Sequence, residues 1–264
     1  MTMFAILKIR YRQSVVKRTG FTLVELLVVI SIIALLLSIL MPAMGKARKK
    51  AQSVVCMSNQ RQIGLGMQLY LQDNRGTFML CYGDDISQKG WFTRLVKDGK
   101  LYSDNTIAYI SGYDVLFCPS HRLAPQLTAA EKRNYPKLRE YSIVKGYISY
   151  GMSSGLTYDY SQAGYPVSPA KIQDIRQPAN TILLVDASHK ESATRTTGTF
   201  FVRPYYQVLG WDVASIRHEG ACNALWVDGH VTPVKAPNPK DEKTIYYQTA
   251  LTDYSMGSNY WDRK

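Results

Sequence analysis

Residues 21–41 read FTLVELLVVISIIALLLSILM, an apolar run broken by one carboxylate, Glu25. Wound as a helix at about 1.5 Å per residue, such a run reaches roughly 30 Å, the thickness of a bilayer's hydrocarbon core. The amino terminus is therefore predicted to enter a membrane. An uncleaved signal anchor would account for the length and apolarity. A secretory signal peptide fits less well, because the run exceeds a usual h-region and no small-x-small cleavage site precedes the helical continuation at Lys46. Lys8, Arg10, Arg12, Lys17 and Arg18, with no acidic residue among positions 1–20, place the leader on the cytoplasmic side; Lys46, Arg48, Lys49 and Lys50 on the far flank reduce the contrast.

Glu25 separates these readings. A carboxylate inside a membrane helix costs about 2.5–3.5 kcal/mol on insertion scales unless something pairs with it. An ordinary anchor has no use for that expense. If the chain is cut after Gly20, a new α-amine appears on Phe21, one helical turn from Glu25, and the carboxylate can neutralise an amine on its own or a neighbouring subunit.

Lys17-Arg18-Thr19-Gly20-Phe21-Thr22-Leu23-Val24-Glu25 resembles the processing site of type IV prepilins and type II secretion pseudopilins. The resemblance implies that a prepilin peptidase cuts after Gly20, that the new Phe21 amine is methylated, and that Glu25 guides docking into a growing filament. Pro42 matches the helix-kinking proline of that family, and it lacks an amide donor while its ring clashes with the carbonyl four residues back. Beyond it Ala47, Ala51, Val54, Val55, Ile63, Met67, Tyr70 and Leu71 recur at helical spacing, so one long helix is expected to end near Gln72.

After Asp73-Asn74-Arg75-Gly76 the helical pattern gives way to β-prone, aromatic and Gly-rich segments. Strands are expected at Tyr141–Gly151, Thr181–Asp186 and Cys222–Val227. Asp228-Gly229 between two extended runs predicts a two-residue hairpin that sets Val227 opposite His230, Trp226 opposite Val231 and Ala224 opposite Pro233. Pro233 then marks an edge strand. The fold is read as α+β: a long N-terminal membrane-spanning helix, kinked near Pro42, packed on a C-terminal domain with an antiparallel β-sheet. In domain terms, residues 1–20 are a basic leader, 21–72 the long helix with 21–41 in membrane or filament core, and 73–264 a periplasmic α+β pilin-like domain.

The stretch from Arg217-His218-Glu219-Gly220 to Asp228-Gly229-His230-Val231 resembles the carboxy-terminal signature of a bacterial subgroup of prepilin-type proteins. So do the patches around Cys56, Phe117-Cys118-Pro119-Ser120 and Ser149-Tyr150-Gly151-Met152. This supports architecture and leaves His218, Asp228 and Gly229 as a signature of unassigned role. The four cysteines allow three full disulfide connectivities in an exported domain, and none forms a CxxC pair. Because Cys56 and Cys118 both lie in family-like patches, a disulfide between them is expected to tie helix to domain, closing a loop of about sixty residues for about 2–4 kcal/mol.

Part of the chain's basic excess belongs elsewhere than to a binding face. The formal charge is +12, and the leader alone carries five positives, leaving +7 without it. No zinc-finger spacing or aromatic RNA-binding signature accompanies the charge, so no nucleic-acid partner is expected. His121, His189, His218 and His230, with Asp186 and Asp228, offer possible metal ligands, but no HExxH pair fixes two on one face. Backbone bonding and turn roles account for them more simply, and no metal or cofactor is assigned. Asp253 and Asp262 are too few acids for a calcium loop. Serine-nucleophile motifs, GxxxxGK and GxGxxG are absent, and Gly64-Leu65-Gly66 fits close helix packing.

The leading expectation is a non-enzymatic subunit of a type IV pilus-like or type II secretion filament. Its expected partners are prepilin peptidase, other pilin or pseudopilin subunits, an inner-membrane assembly platform and membrane lipid. The alternative is a membrane-anchored periplasmic metal-binding or hydrolase domain. The expected location is the inner membrane, single-pass with the N-terminus cytoplasmic, and then the filament.

Overall fold

The computed structural model describes residues 22–81, 90–97, 108–121, 146–157, 169–192, 195–202 and 213–235. Gly20, Phe21 and the rest of the leader, as well as Asp253 and Asp262, lie outside the described residues. The chain divides into two compact units at Lys46/Ala47.

One helix, α1 (Leu23–Asp73), crosses that division and continues through Pro42. Its first half is apolar on every side and exposed, with Leu23, Leu35 and Ile39 each more than 60% accessible. Its two serines bond back into the helix, Ser31 Oγ donating to Leu27 O at 2.7 Å and Ser38 Oγ to Leu35 O at 2.7 Å. A hydroxyl satisfied in this way suits an apolar solvent. The second half carries a stripe instead: Ser53, Cys56, Gln60, Ile63, Gly64, Met67 and Leu71 are buried. Steps of three and four residues keep them on one face.

The helix stops one residue past the expected position, in a Schellman motif. Arg75 (φ 55°) takes the left-handed conformation, and Gly76 N donates to Leu71 O at 2.7 Å. That six-to-one bond satisfies a carbonyl left without an intrahelical partner.

The domain core is a mixed sheet. A short helix, α2 (Phe92–Leu95), leads into β1 (Val96–Lys97), which pairs in parallel with β2 (Ile110–Ser111). The main sheet contains β3 (Tyr150–Ser153), β4 (Ile182–Ser192), β5 (Arg195–Thr197), β6 (Phe201–Val202), β7 (Val213–Ala214), β8 (Ala221–Trp226) and β9 (Val231–Lys235). Its path runs β6-β3-β4-β8-β9, with β5 and β7 pairing the far half of β4. All these pairings are antiparallel except β3 with β6, which is parallel. The expected strand at Tyr141–Gly151 is realised only from Tyr150; residues 141–145 lie outside the described residues.

Alternation along β8, and along β4 with a register shift between Ile182 and Leu184 that moves Ile182 to the other side, gives the sheet two apolar faces. Leu184 and Leu225 join Ile63 and Met67 of α1 in one cluster, whereas Ile182, Val185, Cys222, Ala224 and Trp226 form another on the opposite side. Gly64 and Gly66 permit the close approach: a Cβ on Gly64 would sit 3.0 Å from Leu225 Cδ1, and one on Gly66 2.5 Å from Ile110 Cγ1.

The Asp228-Gly229 hairpin forms, but one residue out of the expected register. Leu225 pairs with Val231, Ala224 with Thr232 and Asn223 with Pro233. The reason is turn type. A two-residue type I′ loop needs φ > 0 at both central residues, whereas here Gly229 (φ 95°) has a positive φ and Asp228 does not. Gly229 N donates to Trp226 O at 2.9 Å and Trp226 N to His230 O at 3.0 Å, a type I turn closed by a glycine bulge. β9 has β8 as its one described neighbour, so Pro233 does sit on an edge.

Candidate functional site

Four elements bring polar side chains to one point beneath α1. Cys56 comes from the buried stripe of the helix. Cys118 follows a short 3-10 helix, Tyr113–Leu116, whose exit is held by Ser149 N donating to Leu116 O at 3.0 Å. Asp186 lies on β4, two residues after Leu184, and therefore on the face that meets α1. His218 enters β8 through a tight turn: His218 and Ala221 exchange both backbone bonds at 3.1 Å around Glu219 (φ 55°) and Gly220 (φ 82°). Two consecutive positive φ values make this a type I′ turn, which fixes the imidazole at the strand's start.

The four ligand-type atoms lie within 4.8 Å of one another, and all four residues are buried. Cys56 Sγ donates to Asp186 Oδ1 at 3.1 Å, Cys118 Sγ is 3.3 Å from His218 Nε2, and His218 Nε2 is 3.4 Å from Asp186 Oδ2. Around them, Asn223 N donates to Asp186 Oδ2 at 2.7 Å, Tyr150 OH to Cys56 Sγ at 3.5 Å, and Asn59 Nδ2 to Phe117 O at 3.2 Å. The Arg217 guanidinium donates to Ala187 O from beside the cluster.

These surroundings divide the ionisable groups. Burial pushes the Asp186 carboxyl up to about 6, opposed by the positive charge of Arg217. Cys118 is drawn down to about 4, first by the hydrogen bond from Cys56 and then, against burial, by His218 and Arg217. Cys56 moves the other way, because burial, its bond to Cys118 and the negative Asp186 all favour the thiol. The cluster thus holds one thiolate-ready sulfur, a second sulfur, a carboxylate oxygen and an imidazole nitrogen, a mixed donor set for a borderline-soft cation.

The expected Cys56–Cys118 disulfide is not formed. All four cysteines are free. A bridge needs sulfurs about 2.05 Å apart, and here the Cys56 and Cys118 sulfurs meet as hydrogen-bond partners, with Asp186 beside Cys56 and His218 beside Cys118. Asp186 and His218, expected in simpler backbone and turn roles, join the two cysteines in a group that could hold a metal ion. The other histidines stay outside it. His121 Nδ1 lies 2.9 Å from Ser149 Oγ, with burial and then Arg217 holding its ring well below the usual imidazole range. His230 Nδ1 lies 2.5 Å from Asp228 Oδ1 in the exposed hairpin turn. His218 and Asp228-Gly229 stand at opposite ends of β8, so the sequence signature is not one site.

At the other end of the chain, Thr22 and Glu25 form a capping box. Thr22 N donates to Glu25 Oε2 at 2.8 Å, Thr22 Oγ1 to the same oxygen at 2.7 Å, and Glu25 N to Thr22 Oγ1 at 3.2 Å. The pattern T-x-x-E was readable as a helix start and was missed, because the carboxylate drew attention as a charge.

Residues 16–41 match the model of the prokaryotic N-terminal methylation motif. No curated protein and no solved structure matches the chain. The motif and the apolar helix that continues it fit a type IV prepilin- or pseudopilin-like protein with a helix able to cross a membrane. Proteins that carry the motif are generally structural rather than enzymatic.

Proposed function

We propose that the chain is a structural subunit of a type IV pilus-like or type II secretion filament, released for assembly by a prepilin peptidase. The observation that carries this reading is the methylation motif at residues 16–41 running directly into an apolar helix whose side chains find no cover among the described residues. Lipid covers that surface before assembly, and neighbouring subunits cover it afterwards. Gly20 is the cleavage position, Phe21 the new methylated terminus and Glu25 the carboxylate that meets a Phe21 ammonium in the filament. Pro42 lies inside the exposed part of α1, eleven residues (53 − 42) before the buried stripe begins at Ser53. The leader stays cytoplasmic, and the domain from residue 73 lies on the periplasmic side of the inner membrane, where the assembly platform takes it up. Intact-mass and terminal-peptide spectrometry of membrane-derived protein tests this: a methylated Phe21 terminus is expected, and a chain that retains residues 1–20 throughout the cell would refute it.

The metal-binding half of the alternative is favoured by the buried cysteine, aspartate and histidine cluster, and it is compatible with a structural subunit. The hydrolase half gains no support from the cluster, because Cys56 and Asp186 are both 0% accessible.

A further inference from the structure

We propose that Cys56, Cys118, Asp186 and His218 form a closed, four-coordinate structural zinc site that clamps the second half of α1 to the sheet and loops of the domain.

The geometry is the first argument. With zinc–sulfur bonds of about 2.3 Å and zinc–nitrogen or zinc–oxygen bonds of about 2.0–2.2 Å, tetrahedral coordination requires roughly 3.8 Å between two sulfurs, 3.5 Å between sulfur and nitrogen or oxygen, and 3.4 Å between nitrogen and oxygen. Three separations fall near these lengths: 3.1 Å from Cys56 Sγ to Asp186 Oδ1, 3.3 Å from Cys118 Sγ to His218 Nε2, and 3.4 Å from His218 Nε2 to Asp186 Oδ2. One ligand atom from each residue lies within 4.8 Å of the other three, so small side-chain adjustments close the set around an ion.

Charge is the second. Two thiolates, one carboxylate and a neutral imidazole around a dication sum to minus one. Arg217, next in sequence to His218 and half-buried against Ala187 O, supplies the balancing positive charge. Without a cation the same pocket buries a carboxyl, two thiols and an imidazole within 4.8 Å of one another, with the Arg217 guanidinium bonded to nearby Ala187 O. Uncompensated buried charge is costly, and a bound metal removes that cost.

The supporting shell is the third. Metal-bound carboxylates and thiolates are usually fixed by outer hydrogen bonds. Here Asn223 N holds the Asp186 carboxylate at 2.7 Å, and Tyr150 OH reaches Cys56 Sγ at 3.5 Å while itself accepting from Asn59 Nδ2 at 3.5 Å. The ligands come from the helix, the loop after Leu116, β4 and the turn before β8, so one ion joins segments separated by up to 162 positions (218 − 56). All four positions are filled by protein and none opens to solvent, which assigns the site to structure rather than catalysis.

The test uses the full chain, extracted from membranes in detergent and purified without chelator. Elemental analysis is expected to give about one zinc per chain, and zinc-edge X-ray absorption two sulfur ligands near 2.3 Å with two lighter ligands near 2.0–2.1 Å. Cys118→Ser and His218→Ala should each lower zinc content by about tenfold or more, whereas His230→Ala, in an exposed turn, should leave it unchanged. If the ligand variants fail to fold, the wild-type stoichiometry and absorption spectrum still decide. Three results would overturn the proposal: folded wild-type protein that stays metal-free after incubation with excess zinc sulfate, a coordination shell with fewer than two sulfurs, or a Cys56–Cys118 disulfide in non-reducing peptide maps.

Discussion

Gly66→Ala isolates what the helix-to-domain contact demands. A Cβ at position 66 would lie 2.5 Å from Ile110 Cγ1, 2.8 Å from Ile110 Cδ1 and 3.6 Å from Tyr109 O. Cγ1 is set by χ1 of a β-branched residue, which is stiff. Ile110 is also tied down, pairing with Val96 while Tyr109 N donates to Leu95 O at 3.0 Å. Relief therefore needs a rotamer change or a shift of α1, and overpacking of this kind costs about 1–3 kcal/mol. Alanine's helix preference over glycine returns about 1 kcal/mol, leaving a net loss of about 1 kcal/mol. Gly64→Ala is the internal control. Its Cβ would meet only the tips of Leu225, at 3.0 and 3.3 Å, and a flexible leucine can yield by those few tenths of an ångström. That variant should be neutral or more stable by up to about 1 kcal/mol. Urea titration of both full-length proteins in detergent, followed through buried Trp91 and Trp226, measures the difference. Two variants of equal stability, or Gly66→Ala above wild type, would refute the packing argument.

Gly20→Val should leave the precursor uncut, visible as a mass that retains residues 1–20; normal processing would count against peptidase maturation. Glu25→Ala and Glu25→Gln should both be inserted and cleaved but enter filaments poorly, since both remove the charge that answers the Phe21 ammonium. Only Glu25→Gln keeps an acceptor for the capping box with Thr22, so its recovery in sheared filament fractions would reassign Glu25 to helix capping. Burial raises the Cys81 thiol to about 12, so at pH 8 about one molecule in 10⁴ is thiolate and native Cys81 should resist iodoacetamide; labelling within minutes, read by peptide mass, would contradict its placement.

The amino-terminal half was legible because it obeys periodicities. An all-round apolar run became the exposed half of α1. Of the helical stripe, Ile63, Met67 and Leu71 are packed, whereas Ala47, Ala51, Val54 and Val55 are exposed and the buried face begins instead with Ser53, Cys56 and Gln60. Asp228-Gly229 announced a hairpin, but a dipeptide does not say whether aspartate or only glycine takes the positive φ, and that choice moved the register by one residue. The parallel pairing of β3 with β6 had no local signal, since it depends on where the chain returns after some fifty residues. The cluster was the least legible feature. Its members are separated by 62, 68 and 32 positions (118 − 56, 186 − 118, 218 − 186) and sit on four elements, so no spacing rule groups them. Taken segment by segment, the cysteines predict bridge partners and Asp186 a strand end; only the packing of α1 on the sheet brings them to one point.

The buried polar residues of α1 also explain how the helix is held in register along its axis. The apolar stripe decides which face meets the sheet, but Ile63, Met67 and Leu71 would pack nearly as well after a slip of one turn. Cys56 and Gln60 would not. Both are 0% accessible, and Gln60 Nε2 donates to Asn223 O at 3.0 Å while Cys56 bonds Asp186 at 3.1 Å. A slip of about 5.4 Å would strand all four groups away from water, at about 1–3 kcal/mol for each unsatisfied polar group. Apolar contact resists separation of helix and sheet and scarcely resists sliding; directional bonds resist sliding. In the proposed filament subunit, with neighbouring subunits holding the first half of the helix, sliding is the mode that axial load would excite. The polar cluster under Cys56 and Gln60 is thus placed where the contact most needs a direction, and Asn223, which takes the Gln60 bond through its carbonyl and gives its amide to Asp186, joins the two restraints through one residue of β8.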